Sequence, residues 1–105
     1  MEIVLKIESK NYSKVKDILL ADDVVSRSSM VFKEGSIIGK EGYYCYLSGT
    51  EEQCKRALEL IKEKTETDEI IELAEEANDE EKEKLINKIK EEENKAIEGF
   101  GNILG

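Results

Sequence analysis

The chain has 105 residues, a length typical of one domain, and it carries 25 acidic against 16 basic residues for a formal net charge of −9. It contains no histidine, tryptophan or proline, and lysine and glutamate dominate it, a bias typical of thermophile proteomes. No apolar run approaches the roughly 18 residues that a membrane-spanning helix needs. The composition therefore argues against a membrane protein.

The charge is concentrated in the C-terminal part of the chain. Residues 1–64 contain 11 basic and 11 acidic residues, whereas residues 65–105 contain 5 lysines and 14 acidic residues. Affinity for nucleic acids comes largely from lysine and arginine contacts to phosphates. The acidic C-terminal segment therefore argues against a nucleic-acid partner.

The N-terminal residues predict a strand followed by a helix. EIVLKIE alternates in polarity, and its strongly apolar face carries Ile3, Leu5 and Ile7. NYSKVKDILL then has apolar residues at helical spacing, and Asn11 stands where a side chain can cap the helix start.

The next residues predict two more strands and a second helix. VVSRSSMVF, residues 24–32, is rich in small and β-branched residues, and YYCYLSG follows a glycine-punctuated connection. Thr50 and Gln53 then form a capping-box pattern, which predicts the start of a helix.

This βαββα order predicts an α+β fold, a ferredoxin-like βαββαβ sandwich with an added long C-terminal helix. The fourth strand should be EIIEL, with Ile71 and Leu73 facing the same way. The alternative is a helix that runs from Ile70 to Ala77. We favour the strand, because without it the first strand would be an exposed sheet edge. The pattern resembles small αβ proteins common in archaea.

The last segment predicts a long acidic helix with an apolar stripe. Asn78 can cap it, Glu81 stands at the capping-box position, and Gly99 and Gly101 are expected to end it. We therefore divide the chain into a ferredoxin-like domain, residues 1–77, and an acidic helix with a glycine-rich apolar tail, residues 78–105. The second segment should pack on the same domain or on a partner.

Residues 37–48, IIGKEGYYCYLS, resemble two nucleic-acid motifs. GKEG resembles the GxxG loop of KH domains, but it runs directly into a strand, which favours a hairpin connection. Gly42, Tyr44, Tyr46 and Leu47 resemble the third strand of an RNA-recognition motif, a family with the same βαββαβ topology. The resemblance implies that bases stack on Tyr44 and Tyr46 of an open sheet face. The alternative, which we favour, places both tyrosines beneath the C-terminal helix.

The two cysteines, Cys45 and Cys54, are predicted to be buried hydrophobic side chains. There is no CxxC motif and no histidine that could complete a zinc site, so we expect no metal and no cofactor. Two cysteines are too few for a disulfide scaffold, and MEIVLKIESK is too charged for a signal peptide. The sequence thus predicts a cytoplasmic location.

No catalytic motif is present, so we expect a non-enzymatic binding or assembly module that acts through protein contacts. The partner should be another protein or a second copy in a homodimer, and neither a nucleic acid nor a membrane. The alternatives are an RNA-binding module of recognition-motif type and an ACT-like small-molecule sensor. The candidate partner-binding residues are the apolar side chains of the C-terminal tail: Ala96, Ile97, Phe100, Ile103 and Leu104.

Overall fold

The computed structural model describes the backbone of residues 1–104 and the side chains of residues 1–93. The protein is mixed α/β, with an antiparallel sheet and three α-helices in the described residues. Its elements in chain order are β1 (Glu2–Ile7), α1 (Tyr12–Ala21), β2 (Ser29–Glu34), β3 (Tyr43–Ser48), α2 (Glu51–Leu60), β4 (Lys62–Lys64), β5 (Ile70–Glu72), β6 (Glu75–Glu76) and α3 (Asp79–Leu104).

The main sheet has the strand order β2-β3-β1-β6, and every neighbouring pair is antiparallel. In the centre of this sheet, Leu5 of β1 lies opposite Cys45 of β3, and Val31 of β2 lies opposite Tyr46. β4 and β5 form a separate two-stranded ribbon. Because successive side chains of a strand point to opposite faces, this register decides which residues share each face.

One face of the sheet forms the larger core, which α1 and α2 cover. The residues that the sequence assigned to the apolar face of β1 are all buried there, as are Cys45 and Leu47 of β3. Val15 and Leu19 of α1 pack on them, together with Cys54 and Ala57 of α2. The alternation predicted for β1 and β3 is therefore confirmed.

The two short helices begin differently. At α2 the capping box is present: the Gln53 backbone N–H donates to Thr50 Oγ1 at 3.1 Å, and the Thr50 N–H donates to Gln53 Oε1 at 2.9 Å. At α1 the prediction was wrong, since the Asn11 side chain makes no capping hydrogen bond. Asn11 ends a 3₁₀ turn and has helical dihedral angles, whereas a capping residue is normally extended.

β2 begins later than predicted, at Ser29 rather than at residue 24. Asp22 Oδ1 accepts hydrogen bonds from the backbone N–H groups of Val24 and Val25, each at 3.0 Å. Such a side-chain bond stabilises a turn, and residues Val25–Arg27 form a 3₁₀ helix instead of a strand.

The fourth strand of the main sheet is not the predicted one. Ile70–Glu72 is a strand, as expected, but it pairs with Lys62–Lys64, and the residues beside β1 are Glu75 and Glu76. Asp68 adopts a left-handed conformation in the connecting turn, with φ of 64°. Leu73, which is buried, then carries the chain back to the sheet. Ile71 does not face the core and is 47% exposed.

The long C-terminal helix was predicted correctly at its start but not at its end. Asn78 Oδ1 accepts a hydrogen bond from the Glu81 backbone N–H at 2.8 Å, which caps α3. The helix continues past Gly99 and Gly101 to Leu104 and has 26 residues. At 1.5 Å per residue it is about 39 Å long.

Candidate interaction surface

α3 lies on the sheet face opposite to α1 and α2, where it closes a second and smaller core. Leu85 and Ile89 of the helix are buried against Val4 and Tyr44 of the central strands, and Ala77 borders them. The partly buried residues at the margin of this core are Val31, Ile37, Ile38, Tyr46 and Ile86. The sheet face that carries Val4 and Tyr44 is thus covered by a helix.

Tyr44 is fully buried, and its hydroxyl group donates a hydrogen bond to the Glu81 carboxylate. The same carboxylate accepts a hydrogen bond from Asn78 Nδ2 at 2.9 Å and lies 3.9 Å from Lys6 Nζ. Burial, and then the neighbouring Glu81 carboxylate, raise the pKa of Tyr44 well above its usual range. One polar cluster therefore fixes the start of α3 to the centre of the sheet.

Two further contacts define the path of α3 across the sheet. Near its start, Lys82 Nζ donates to the Glu2 carbonyl oxygen of β1 at 2.9 Å. Three turns later, Lys33 Nζ of β2 lies 2.7 Å from Glu92 Oε2. The helix therefore crosses from the β1 side of the sheet to the β2 edge, and its last twelve residues follow Glu92.

The two predicted groups of site residues are placed differently. Tyr44 and Tyr46 share the α3-covered face, as the alternation predicted, with Tyr44 buried and Tyr46 partly buried. Burial, and then the Glu2 carboxylate, raise the pKa of Tyr46 to about 12. The candidate partner-binding side chains lie outside the described part of the chain: Ala96, Ile97, Phe100, Ile103 and Leu104.

Sequence reasoning missed an aromatic cluster on the other face. The rings of Tyr12 and Tyr43 are stacked, with centroids 3.8 Å apart, and Phe32 contacts Tyr12 edge-on at 6.1 Å. Lys16 Nζ lies 5.5 Å from the Phe32 centroid and 5.7 Å from that of Tyr12. These residues come from three separate elements, α1, β2 and β3. The one available signal is the strand pairing, because Tyr43 is two positions from Cys45, the residue opposite Phe32, and so lies on the same face as Phe32.

A cleft of about 630 Å³ opens where β1 ends and β3 begins. Residues 35–42, the glycine loop between β2 and β3, form one wall through Lys40, Glu41 and Gly42, and the loop joins two strands, as expected for a hairpin connection. Gly42 has φ of 77°, and a Cβ there would lie 2.6 Å from the Ile7 carbonyl oxygen. The charged residues of the cleft are of both signs: Lys6, Lys40, Glu8, Glu41, Glu72 and Glu75.

Cys45 and Cys54 are buried and not bonded to each other. Burial raises the pKa of the Cys45 thiol to about 12 and also raises that of Cys54. Only the thiolate is a strong nucleophile, so these side chains are poorly suited to nucleophilic attack or metal binding. Within residues 1–93, His, Cys, Asp and Glu side chains form no group of three or more that could hold a metal ion.

In the described part of the chain, no helix combines the length and the apolar character that crossing a bilayer requires. A scan against protein-family models and searches of curated proteins and solved structures found no match to this chain.

Proposed function

We propose that this protein is a small non-enzymatic assembly module that binds a protein partner, or a second copy of itself, through the C-terminal part of α3. The observation that carries the proposal is the position of α3. The helix closes the free face of the sheet over Tyr44, reaches the β2 edge at Glu92 and continues to Leu104. The residues after Glu92 supply the apolar stripe of Ile97 and Phe100.

The proposed framework is a ferredoxin-like βαββαβ arrangement in the cytoplasm. The strand order β2-β3-β1-β6 supports it, because β6 occupies the place of the fourth strand beside β1. The β4–β5 ribbon is then an insertion between α2 and the last strand. A non-enzymatic role is supported by the buried thiols of Cys45 and Cys54 and by the absence of histidine from the sequence.

The RNA-binding alternative requires bases to reach the rings of Tyr44 and Tyr46. Tyr44 is fully buried and holds Glu81 at the start of α3, so RNA binding would require displacement of the helix. Residues 79–93 of α3 also carry seven acidic residues against four lysines, a net negative charge that would repel phosphates. We therefore expect single-stranded RNA to bind no tighter than about 1 µM, the tight end of non-specific binding to DNA.

The small-molecule alternative would use the cleft between the end of β1 and the glycine loop. Its lining carries two lysine and four glutamate side chains, so its net charge disfavours an anionic ligand, but no residue pattern in it indicates a particular ligand. The position of α3 supports protein assembly more directly than this cleft supports a sensor.

The test compares the full chain with a double variant, Ile97→Ser with Phe100→Ser, and with Glu98→Ser as the matched control from the same helix. Sedimentation equilibrium should reveal self-association, or affinity capture followed by mass spectrometry should recover a partner protein. In the double variant the affinity of that association should fall at least tenfold, and in the control it should be unchanged. A monomer whose captured proteins are the same with the double variant would contradict the proposal, as would submicromolar RNA binding that Tyr44→Ala abolishes.

A further inference from the structure

β2 is an open edge of the main sheet. It pairs with β3 on one side, and no described strand lies on its other side. The Gly35 backbone N–H donates to the Gly42 carbonyl oxygen at 2.8 Å, so alternation directs the backbone groups of Met30, Phe32 and Glu34 away from β3. Unpaired groups of this kind can template the addition of another strand.

This edge lacks most features that normally prevent strand pairing. Native edges are blocked by proline, by bulges or by charged side chains, lysine above all. β2 has no proline and no bulge, since its register with β3 is continuous over six residue pairs, and its two charged residues, Lys33 and Glu34, stand at its end, after the apolar residues Met30, Val31 and Phe32. All three side chains are only partly buried. The lysine of this strand, Lys33, is held in an ion pair with Glu92.

α3 points past the same edge. Twelve residues of the helix follow Glu92, and they span about 18 Å at 1.5 Å per residue. Strands are spaced about 4.8 Å apart, so this length corresponds to about three to four strands beyond β2. A sheet that continued past β2 would give that part of α3 a surface to cover.

We propose that β2 pairs with β2 of a second copy of the chain, so that two sheets join into one and the C-terminal part of each α3 extends over the partner's sheet beside the partner's α3. This inference rests on the proposed assembly function and names its partner. A second copy fits better than an unrelated extended peptide, because only a whole partner sheet supplies several strands beneath α3. Two-fold dimers are also the commonest oligomers of soluble proteins.

The strand sequence is complementary to itself about a two-fold axis at Val31. Val31 then lies opposite its symmetry mate, Met30 lies opposite Phe32, and Ser29 lies opposite Lys33. The strand carries one lysine and one glutamate, so β2 has no net charge and two β2 strands do not repel each other. A register shifted by two residues would instead place Met30 opposite Glu34 and Val31 opposite Lys33, which pairs apolar with charged groups. We therefore infer the axis at Val31.

Cysteine cross-linking tests this geometry. Residues opposite each other in a non-hydrogen-bonded antiparallel pair have Cα atoms about 4.5 Å apart, within the range that a disulfide bridges. Val31→Cys should therefore form a covalent dimer under mild oxidation at micromolar concentration, at least tenfold faster than Ser13→Cys on the exposed side of α1. The unsubstituted chain is the baseline, because Cys45 and Cys54 are buried. Sedimentation equilibrium of the unsubstituted chain should give a dimer.

The outcomes separate this inference from the proposed function. A dimer in which Val31→Cys cross-links no faster than Ser13→Cys would overturn the edge pairing and leave assembly through α3 standing. A monomer that captures a different protein through Ile97 and Phe100 would likewise overturn the second-copy partner alone. A monomer with no such partner would overturn both.

Discussion

The two faces of the main sheet are closed in different ways. On one face, α1 and α2 enclose a core with thirteen buried residues, and a capping box fixes the start of α2. On the other face, α3 closes a core of five buried residues among the described side chains, two of which are its own, with a polar cluster at Glu81 and partly buried residues at the margin. The first face therefore buries more side chains than the second, and the second is the face that leads to the partner surface proposed for α3.

The largest test of this comparison removes one buried leucine from each face. Leu→Ala in a core costs about 2–5 kcal/mol, and the cost depends on how well the site can collapse. We expect Leu19→Ala, in the enclosed core, to cost about 4 kcal/mol and Leu85→Ala, beside the partly buried margin, about 2 kcal/mol.

Urea denaturation of the two variants measures this difference. Leu20→Ala is the matched control, because Leu20 adjoins Leu19 in α1 but is 48% exposed. Its effect should stay within about 0.5 kcal/mol. Equal losses for Leu19→Ala and Leu85→Ala would show that the α3 side is packed as tightly as the other face.

The second test breaks the polar cluster at the start of α3. Tyr44→Phe removes the hydroxyl group that donates to Glu81 and leaves the ring in place. Hydrogen bonds to charged groups contribute about 1.5–3 kcal/mol, so the free energy of unfolding should fall by that amount. Tyr43→Phe, which keeps the ring stacked on Tyr12, is the control and should change it by less than about 0.5 kcal/mol. If the two variants lost the same stability, the Tyr44–Glu81 bond would not anchor α3.

The third test uses pH to weaken the α3 side through the two tyrosines that α3 covers. Burial and the nearby carboxylates raise the pKa of Tyr44, and that of Tyr46 to about 12, whereas an unfolded tyrosine loses its proton near pH 10. Between about pH 10 and 12 the unfolded chain therefore binds fewer protons than the folded chain, so stability falls as pH rises. Below pH 10 these groups add no pH dependence.

Urea midpoints at pH 8, 10 and 11 check this direction. The double variant Tyr44→Phe with Tyr46→Phe should lose less stability between pH 10 and 11 than the unsubstituted chain. Lysine and cysteine titration is common to both chains and cancels in the difference. An unchanged slope would mean that these two hydroxyl groups do not titrate with unfolding.

The parts of the fold that the sequence predicted depend on local pattern. The alternation of Ile3, Leu5 and Ile7 specified the faces of β1, and the pair Thr50 and Gln53 specified the start of α2. These signals are read from residues two or three positions apart. They needed no knowledge of the tertiary structure.

The parts that it did not predict depend on contacts between distant residues. The apolar character of Ile70 and Ile71 predicted a strand of the main sheet. In the structure they belong to the ribbon that β5 forms with β4, and they are 69% and 47% exposed. At the candidate site, the sequence favoured a C-terminal helix over Tyr44. It did not predict the hydrogen bond from Tyr44 to Glu81 that attaches this helix, because the two residues are 37 positions apart. The side chains proposed to bind a partner were chosen because they are the apolar residues of the glycine-flanked C-terminal tail, and they lie outside the described side chains.

The smallest test concerns the ion pair where α3 reaches the edge of the sheet. Lys33 Nζ and Glu92 Oε2 are 2.7 Å apart, but the two side chains are 31% and 47% exposed. Exposed pairs contribute about 0.2–1 kcal/mol, because water screens the attraction and ordering two long side chains costs entropy. At protein concentrations low enough to keep the chain monomeric, a double-mutant cycle with Lys33→Ala and Glu92→Ala should therefore give a coupling energy in this range, reduced in about 1 M salt, where the screening length is near 3 Å. A coupling well above 1 kcal/mol that salt leaves unchanged would mean that the pair is shielded from solvent, as it would be beneath the α3 helix of a second subunit. The measurement should be made at several protein concentrations, because shielding by a second subunit would increase with concentration, whereas shielding within one chain would not.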